Sequence, residues 1–154
     1  MKRKFSGFLL VIVLLYAMLP QYALAAETAD DPAEIVALEN GDYIVVTIEE
    51  FDTRATQLKS GNKKYTYTNN SGEVEWIITL YGTFTYTGST STCTASSVDV
   101  TINASKWYVV SETESKSGNT AKADVTMGRK FLGITVEKID NNITLTCDKN
   151  GNLS

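Results

Sequence analysis

The sequence predicts an all-β protein: an antiparallel two-sheet β-sandwich, immunoglobulin-like or related, with about eight or nine strands. Three observations indicate this fold. Short segments alternate between apolar and polar residues, turn residues interrupt them about every 8–15 residues, and no interior segment has a convincing helical period. Each such strand has one apolar face, so two sheets can cover each other across about 10 Å.

The first 25 residues have the organisation of a secretory signal peptide. A basic start precedes an apolar run at residues 5–19, and Ala23 and Ala25 then supply the small residues of an A-x-A cleavage motif. The run is shorter than the roughly 20 residues of a membrane-spanning helix. We therefore expect cleavage between Ala25 and Ala26, with an uncleaved anchor as the alternative. The mature chain is expected to be secreted, either free or associated with the cell wall.

After cleavage, the pattern predicts a flexible acidic leader at residues 26–33 and one β-sandwich domain at residues 34–154. The start of the domain fits two structures. Pro32 could begin a short helix that ends near Gly41. Alternatively, Asn40 and Gly41 form a two-residue turn between strands, which is the stronger signal and the one we favour.

The remaining elements form a predicted meander. Residues 52–62 lack a sustained period and are expected to be a loop, and Gly128 and Gly133 are expected to mark bulges or bends. Turns are predicted at residues 69–72, 87–90, 103–105, 115–120 and 140–142. The last turn leads into a final strand at residues 143–147.

The longest alternating segment covers residues 73–86. Its apolar face contains Val74, Trp76, Ile78, Leu80, Phe84 and Tyr86, and its other face is rich in threonine. Threonine suits strands and tolerates water, so this second face requires no function.

Charge and residue inventory exclude several function classes. Without the three basic residues of the signal peptide, 11 basic residues remain against 18 acidic ones, a net charge of −7. This balance disfavours nucleic acids and anionic membranes as partners. The chain has no histidine, so histidine-dependent nucleophilic triads and typical zinc sites are excluded. We expect no cofactor, no metal and no enzymatic activity.

The two cysteines, Cys93 and Cys147, are expected to form one disulfide because the chain is exported. Two buried free thiols are the alternative.

An aromatic platform is the predicted binding site. Tyr81 lies on the polar face of its strand, where an exposed ring suits a sugar or a proline-rich peptide. Tyr65, Tyr67 or Tyr108 would complete the platform, and core packing or cross-strand pairing is the alternative role of these rings.

Paired carboxylates are the candidates for catalysis. Glu73 and Glu75 lie two residues apart on one strand, near the spacing that glycoside hydrolysis requires. Glu49, Glu50 and Asp52 form a second acidic group. Asp148 begins a sequence like a calcium loop, but the glycine is misplaced and no bidentate glutamate follows.

The segments GDYIVVTI, KKYTYTNNSGE, LYGTFTYTGSTSTCT, SKSGNTAKADVTMGRK with LGITV, and LTCDKNGNLS cover nearly all of the mature chain. In these segments the chain resembles a group of small secreted proteins of Gram-positive anaerobic bacteria. The resemblance implies an exported β-protein with two paired cysteines, and it implies no activity.

Together these observations predict a secreted, non-catalytic β-sandwich that binds an extracellular glycan, cell-wall polymer or protein. A small carboxylate-only hydrolase of glycosidase type is the first alternative. A secreted inhibitor or toxin-like factor that acts through residues 52–62 is the second.

Overall fold

The computed structural model describes residues 34–51 and 57–154, and these residues form two stacked antiparallel sheets. The predicted signal peptide, its predicted cleavage site, the predicted leader and residues 52–56 lie outside the described residues. The strands are β1 (Glu34–Ala37), β2 (Tyr43–Phe51), β3 (Leu58–Thr68), β4 (Val74–Tyr86), β5 (Ser91–Ile102), β6 (Trp107–Ser117), β7 (Thr120–Phe131) and β8 (Ile134–Thr146). The described residues contain no helix long and apolar enough to cross a membrane.

The predicted two-sheet sandwich is confirmed. One sheet has the strand order β1-β2-β3-β4-β5 and the other has the order β6-β7-β8. Each sheet is a meander of consecutive strands, so the order differs from the Greek-key order of immunoglobulin domains. The chain completes the five-stranded sheet before it crosses once, through residues 103–106, to the three-stranded sheet.

The core lies between the two sheets and comes mainly from the alternating apolar faces. Trp76, Ile78, Leu80 and Phe84 of β4 are fully buried, as the alternation predicts. They pack with the inner residues of β7 and β8, namely Ala121, Ala123, Val125, Met127, Ile143 and Leu145. Burial of these side chains is the main stabilising term of such a fold.

The first segment is a hairpin, as we favoured, but its turn is longer than predicted. The Gly41 amide donates to the Leu38 carbonyl at 3.1 Å, and the Leu38 amide donates to the Asp42 carbonyl at 2.9 Å. Gly41 has a φ of 84°, so the connection is a type I turn followed by a left-handed glycine. The same bonding pattern recurs from Asn69 to Glu73 and from Asp148 to Asn152.

Three local predictions are wrong. Residues 58–62 belong to β3 and not to a loop, because residues 60–62 pair with β2 and residues 58–59 pair with β4. Residues 140–142 lie inside β8 and not in a turn. The Asn141 side chain is buried and donates to the Val125 carbonyl at 3.1 Å, so cross-strand bonding replaces the turn chemistry that asparagine usually indicates. Gly133 lies in the β7–β8 turn itself.

Residues 147–154 close one end of the sandwich. Cys147 and Leu153 form an isolated bridge, and Leu153 is buried. Gly61 makes room for it, because a Cβ at position 61 would lie 2.4 Å from Leu153 Cδ1 and 2.5 Å from the Glu49 carbonyl oxygen. Any larger residue at position 61 would displace Leu153 or the β2 backbone.

Candidate functional site

The four tyrosines of the predicted platform do not come together. Tyr67 is buried, and Tyr65 lies beside it on the inner face of the five-stranded sheet. Tyr81 is on the outer face of that sheet, where its cross-strand neighbours are Asn62 and Ser97. Tyr108 lies against Gly128 on the outer face of the other sheet. The predicted platform is therefore wrong as a cluster, because period-two alternation sends these residues to three separate surfaces.

Tyr81 alone keeps the predicted exposure, at 39%. It is surrounded by the polar outer face of the five-stranded sheet, where cross-strand rows combine threonine with other polar residues, such as Lys64–Thr79–Asp99. A single ring among hydroxyl groups offers little apolar area, so this face carries only a weak binding signal.

Glu75 is the most unusual polar residue of the chain, because it is buried directly beside Trp76. Strict alternation would place it on the outer face. However, Tyr67 pairs with Trp76 and Thr68 pairs with Val74, which leaves Glu75 as the extra residue of a β-bulge. Bulges redirect side chains in this way. Glu75 and Glu73 therefore do not share a strand face as predicted.

The Glu75 carboxylate is fully engaged. It accepts hydrogen bonds from the Trp107 indole N–H and from Asn69 Nδ2 at 3.0 Å, and Lys106 Nζ lies 2.5 Å away. Burial alone would raise the pKa of Glu75, but the bonds from Lys106, Trp107 and Asn69 outweigh it, so the pKa is lowered. The carboxylate is thus held ionised as a structural acceptor.

The predicted catalytic pair is connected only through an amide. Asn69 Nδ2 also donates to Glu73 at 3.0 Å, so one side-chain amide bridges an exposed and a buried carboxylate. A general acid requires a raised pKa and access to substrate, and Glu75 has neither. Through their shared bonds to Asn69, Glu73 and Glu75 link the β3–β4 turn to the interior of the sandwich.

Around Glu75, three aromatic rings fill the end of the core. Tyr67 stacks on Trp76 with ring centroids 4.9 Å apart, and Trp107 meets both rings edge-on at 5.2 and 6.0 Å. Arg129 lies over the Trp107 ring and is paired with Glu137 at 2.6 Å. Burial raises the pKa of Tyr67, whose hydroxyl donates to Asp42, so this phenol stays protonated.

The expected disulfide is absent, and both cysteines are free and buried. Cys93 Sγ lies 3.4 Å from the Ala95 carbonyl oxygen and Cys147 Sγ lies 3.5 Å from the Asp148 carbonyl oxygen, so each thiol donates locally. Burial raises the pKa of each thiol, which disfavours the reactive thiolate. Residue type and the expected export favoured pairing, but they do not determine side-chain geometry.

The calcium-like segment is a turn. The Asp148 carboxylate accepts bonds from the Asn150 and Asn152 backbone amides at 2.7 and 2.9 Å, and these bonds lower the pKa of Asp148. Within residues 34–51 and 57–154, no group of His, Cys, Asp and Glu side chains is arranged to hold a metal. Glu49 and Glu50 pair with Lys64 and Lys59, respectively.

The most exposed apolar surface is the β7–β8 hairpin. We define the hairpin tip as Phe131, Leu132, Gly133 and Ile134, together with Val136 just below. The large side chains are 66%, 86%, 70% and 53% exposed for Phe131, Leu132, Ile134 and Val136. Single exposed apolar residues are ordinary, but a cluster of four indicates an interaction surface.

The base of the hairpin is braced by specific contacts. The Tyr108 and Thr135 hydroxyls are hydrogen-bonded at 2.6 Å, and Lys130 Nζ lies 4.4 Å from the Tyr108 ring centroid. On the inner face of the hairpin, the Arg129–Glu137 ion pair joins β7 to β8. Val136 is the extra residue of a bulge, since Arg129 pairs with Glu137 and Lys130 with Thr135. The tip is therefore presented on a fixed support.

Leu132 has an unfavourable backbone conformation. Its φ is 50° and that of Gly133 is 82°, the combination of a type I′ turn. Asn-Gly is the favoured pair for this turn, whereas leucine in the left-handed region costs about 1–2 kcal/mol. A strained leucine that is also exposed to water stabilises nothing in the fold, and such strain concentrates at functional positions.

A cleft of about 260 Å³ lies between the β1–β2 turn and β8. Leu38, Glu39, Asn40, Glu137 and Ile139 line it. It is open, and its two carboxylates, of which Glu137 is already paired with Arg129, give it no clear ligand chemistry, so we assign it no role.

Comparison of the chain with protein-family models, with curated proteins and with solved structures gives no match. The candidate site therefore depends on the geometry of this chain, and the hairpin tip is its strongest feature.

Sequence reasoning missed the hairpin tip. It interpreted Gly128 and Gly133 as bulges or bends. The missed signal was the run FLGI, in which three apolar residues surround a turn glycine. A turn normally has polar residues at its tip, so that run was the indication of an exposed apolar surface.

Proposed function

We propose that the chain is an exported, non-catalytic β-sandwich protein that binds an extracellular partner through the hairpin tip. The single observation that supports this most is the strained and exposed Leu132 at the apex of a braced apolar hairpin. The N-terminal pattern supports export, and the resemblance to small secreted proteins of Gram-positive anaerobic bacteria implies export as well. Glycan, wall polymer, protein and lipid surface are the classes of partner available outside the cell.

Catalysis is less well supported. Glu75 is buried, ionised and bonded to three donors, so it is not positioned to exchange a proton with a substrate. The inhibitor or toxin-like alternative depended on residues 52–62, of which residues 58–62 form part of β3.

Retention of the exported protein on the envelope fraction of producer cells tests this proposal. We expect the wild-type protein to co-sediment with the fraction and Leu132→Asn to reduce retention at least tenfold. Asn-Gly is compatible with the turn, so this variant removes the apolar apex and keeps the hairpin. Tyr81→Ala is the matched control on the outer sheet face and should leave retention unchanged.

The opposite pattern would reject the proposal: retention lost in Tyr81→Ala and kept in Leu132→Asn would assign binding to the sheet face. Mass analysis of the secreted protein tests export directly, with a mature N-terminus expected at Ala26.

A further inference from the structure

We infer that the hairpin tip inserts into the surface of an anionic lipid membrane. This inference rests on the proposed function and names the partner of the same site. It follows from the dimensions of the tip, from the charges beneath it and from the conformation of Leu132.

The dimensions fit the interfacial region of a bilayer. Above the Lys130–Thr135 pair the hairpin rises by two residues, or roughly 7 Å at about 3.3 Å per residue. Interfacial segments bury their apolar side chains about 5–10 Å deep. No charged side chain interrupts residues 131–134, so the part of the tip above the Lys130–Thr135 pair can leave water without burying a charge.

Basic side chains lie directly below the tip. Lys130 and Lys138 are exposed on the two hairpin strands, and the Lys130 amide donates to the Lys106 carbonyl at 2.8 Å, which brings a third lysine to this level. Tyr108 lies between Lys130 and Thr135. Cations and an aromatic ring below an apolar apex are the groups found at the headgroup level of membrane-bound proteins.

Of the carboxylates near this level, Glu75 and Glu137 are already paired, and Glu39, which lines the cleft beside Glu137, has no ion-pair partner among the residues that the structure describes. Glu137 is bound to Arg129 at 2.6 Å, and Glu75 lies 2.5 Å from Lys106. Within the described part of the chain, neither Lys130 nor Lys138 forms an ion pair. Net charge argued against anionic membranes, but charges act over only about 8–10 Å in physiological salt. The local surplus of cations therefore governs contact at this end.

A lipid surface fits the tip better than a folded protein partner does. Its four large side chains expose on the order of 500 Å², whereas a stable protein interface buries about 800 Å² on each partner. The tip is also a narrow convex ridge, with Phe131 and Ile134 paired on one side and Leu132 at the apex. A bilayer can surround such a ridge, while a second copy of the chain would have to supply a matching groove.

The conformation of Leu132 supports insertion independently of the dimensions and the charges of the tip. A type I′ turn is easier to form with asparagine than with leucine, and the leucine side chain gains no contacts in water because it is 86% exposed. Insertion provides the missing contact, because the bilayer removes this side chain from water.

Vesicle co-sedimentation of the exported protein tests the inference. The probes are phosphatidylcholine vesicles with and without phosphatidylglycerol. We expect binding to the anionic vesicles, a loss of binding as salt is raised, and at least a tenfold weaker affinity for Leu132→Asn and for Ile134→Asn. Lys130→Gln should weaken binding less and should reduce the salt dependence. Phe131→Trp should show a blue shift of its tip fluorescence when anionic vesicles are added.

Three results would overturn it. Vesicle binding that is unchanged in Leu132→Asn and Ile134→Asn would place the lipid contact elsewhere. A dimer that dissociates in Leu132→Asn, measured by sedimentation, would make a second copy the occupant. No vesicle binding, combined with envelope retention that still depends on Leu132, would reject the lipid and keep the proposed function. Envelope retention that survives Leu132→Asn would reject the proposed function itself. Thermal unfolding of each variant confirms that it is folded.

Discussion

Replacing Glu75 with alanine should strongly destabilise the protein. The carboxylate joins the β3–β4 turn, the crossover at residues 103–106 and the aromatic end of the core, through Asn69, Lys106 and Trp107. Its removal leaves the buried Trp107 indole N–H without its acceptor and leaves Lys106 without its partner. These consequences are energetically unequal, because Lys106 can turn to solvent and Trp107 cannot.

The magnitude follows from the number and kind of bonds lost. A hydrogen bond to a charged group contributes about 1.5–3 kcal/mol, and an unsatisfied buried donor costs about 1–3 kcal/mol. Breaking a buried ion pair from one side costs about 3–5 kcal/mol. Because Lys106 is half exposed, we expect the lower end of the range for a buried ion pair, a decrease of about 3 kcal/mol in the free energy of unfolding. For a chain of this size that corresponds to a decrease in Tm of roughly 6–12 °C.

Urea and thermal unfolding followed by circular dichroism measure this loss, with Glu73→Ala as the control. Glu73 bonds the same asparagine from an exposed position and should cost less than about 1 kcal/mol. The contribution of Glu75 also depends on pH. The pKa of Glu75 lies below its ordinary value of 4.5 in the folded state. Its contribution is therefore complete above that value and is lost as pH falls through the folded pKa.

The gap in unfolding free energy between wild type and Glu75→Ala should accordingly narrow as the solution is acidified below pH 4.5. A loss as small as that of Glu73→Ala, or a gap independent of pH, would show that the buried carboxylate does not stabilise this end of the sandwich.

Three further predictions concern stability and the thiols. Leu132→Asn should raise the unfolding free energy by about 0.5–1 kcal/mol, since it relieves a left-handed leucine, while Ile134→Asn should not; equal effects in denaturant titrations would contradict this. Gly61→Ala should lower the free energy of unfolding by about 1–3 kcal/mol, because the new Cβ meets a backbone oxygen. A Tm equal to that of the wild type would contradict this and show that the site relaxes. Cys93 and Cys147 should react with a thiol reagent only after unfolding, and an intact mass lower by two hydrogen atoms would instead show a disulfide.

Most of the fold was accessible from the sequence because it depends on period-two burial. The alternation of β4 predicted the buried residues Trp76, Ile78, Leu80 and Phe84 directly. The division into sheets was not accessible, because any apolar strand face can cover any other. Asparagine was read as a turn residue at positions 140–142, whereas its amide can equally satisfy backbone carbonyls within a strand, as Asn141 does.

The candidate site was less predictable, because it arises where alternation fails. A bulge turns Glu75 inward, and no pattern in the residues around it marks a bulge. The tyrosines were grouped by residue type, but their strand parity sends Tyr81 and Tyr67 to opposite faces. The hairpin tip could have been found from its apolar residues around Gly133, but its exposure depends on how far β7 and β8 extend beyond Trp107, which is a property of the tertiary structure.

The order of the two sheets along the chain has a consequence for folding during synthesis. Residues emerge from first to last, so the whole five-stranded sheet is made before any strand that covers it. Until β7 and β8 follow, Trp76, Leu80 and Phe84 face water on an open surface, which makes such intermediates prone to associate. Leu153 completes the closure only when position 153 has been synthesised. The nascent chain is therefore most prone to associate in the interval when only its first sheet has been made.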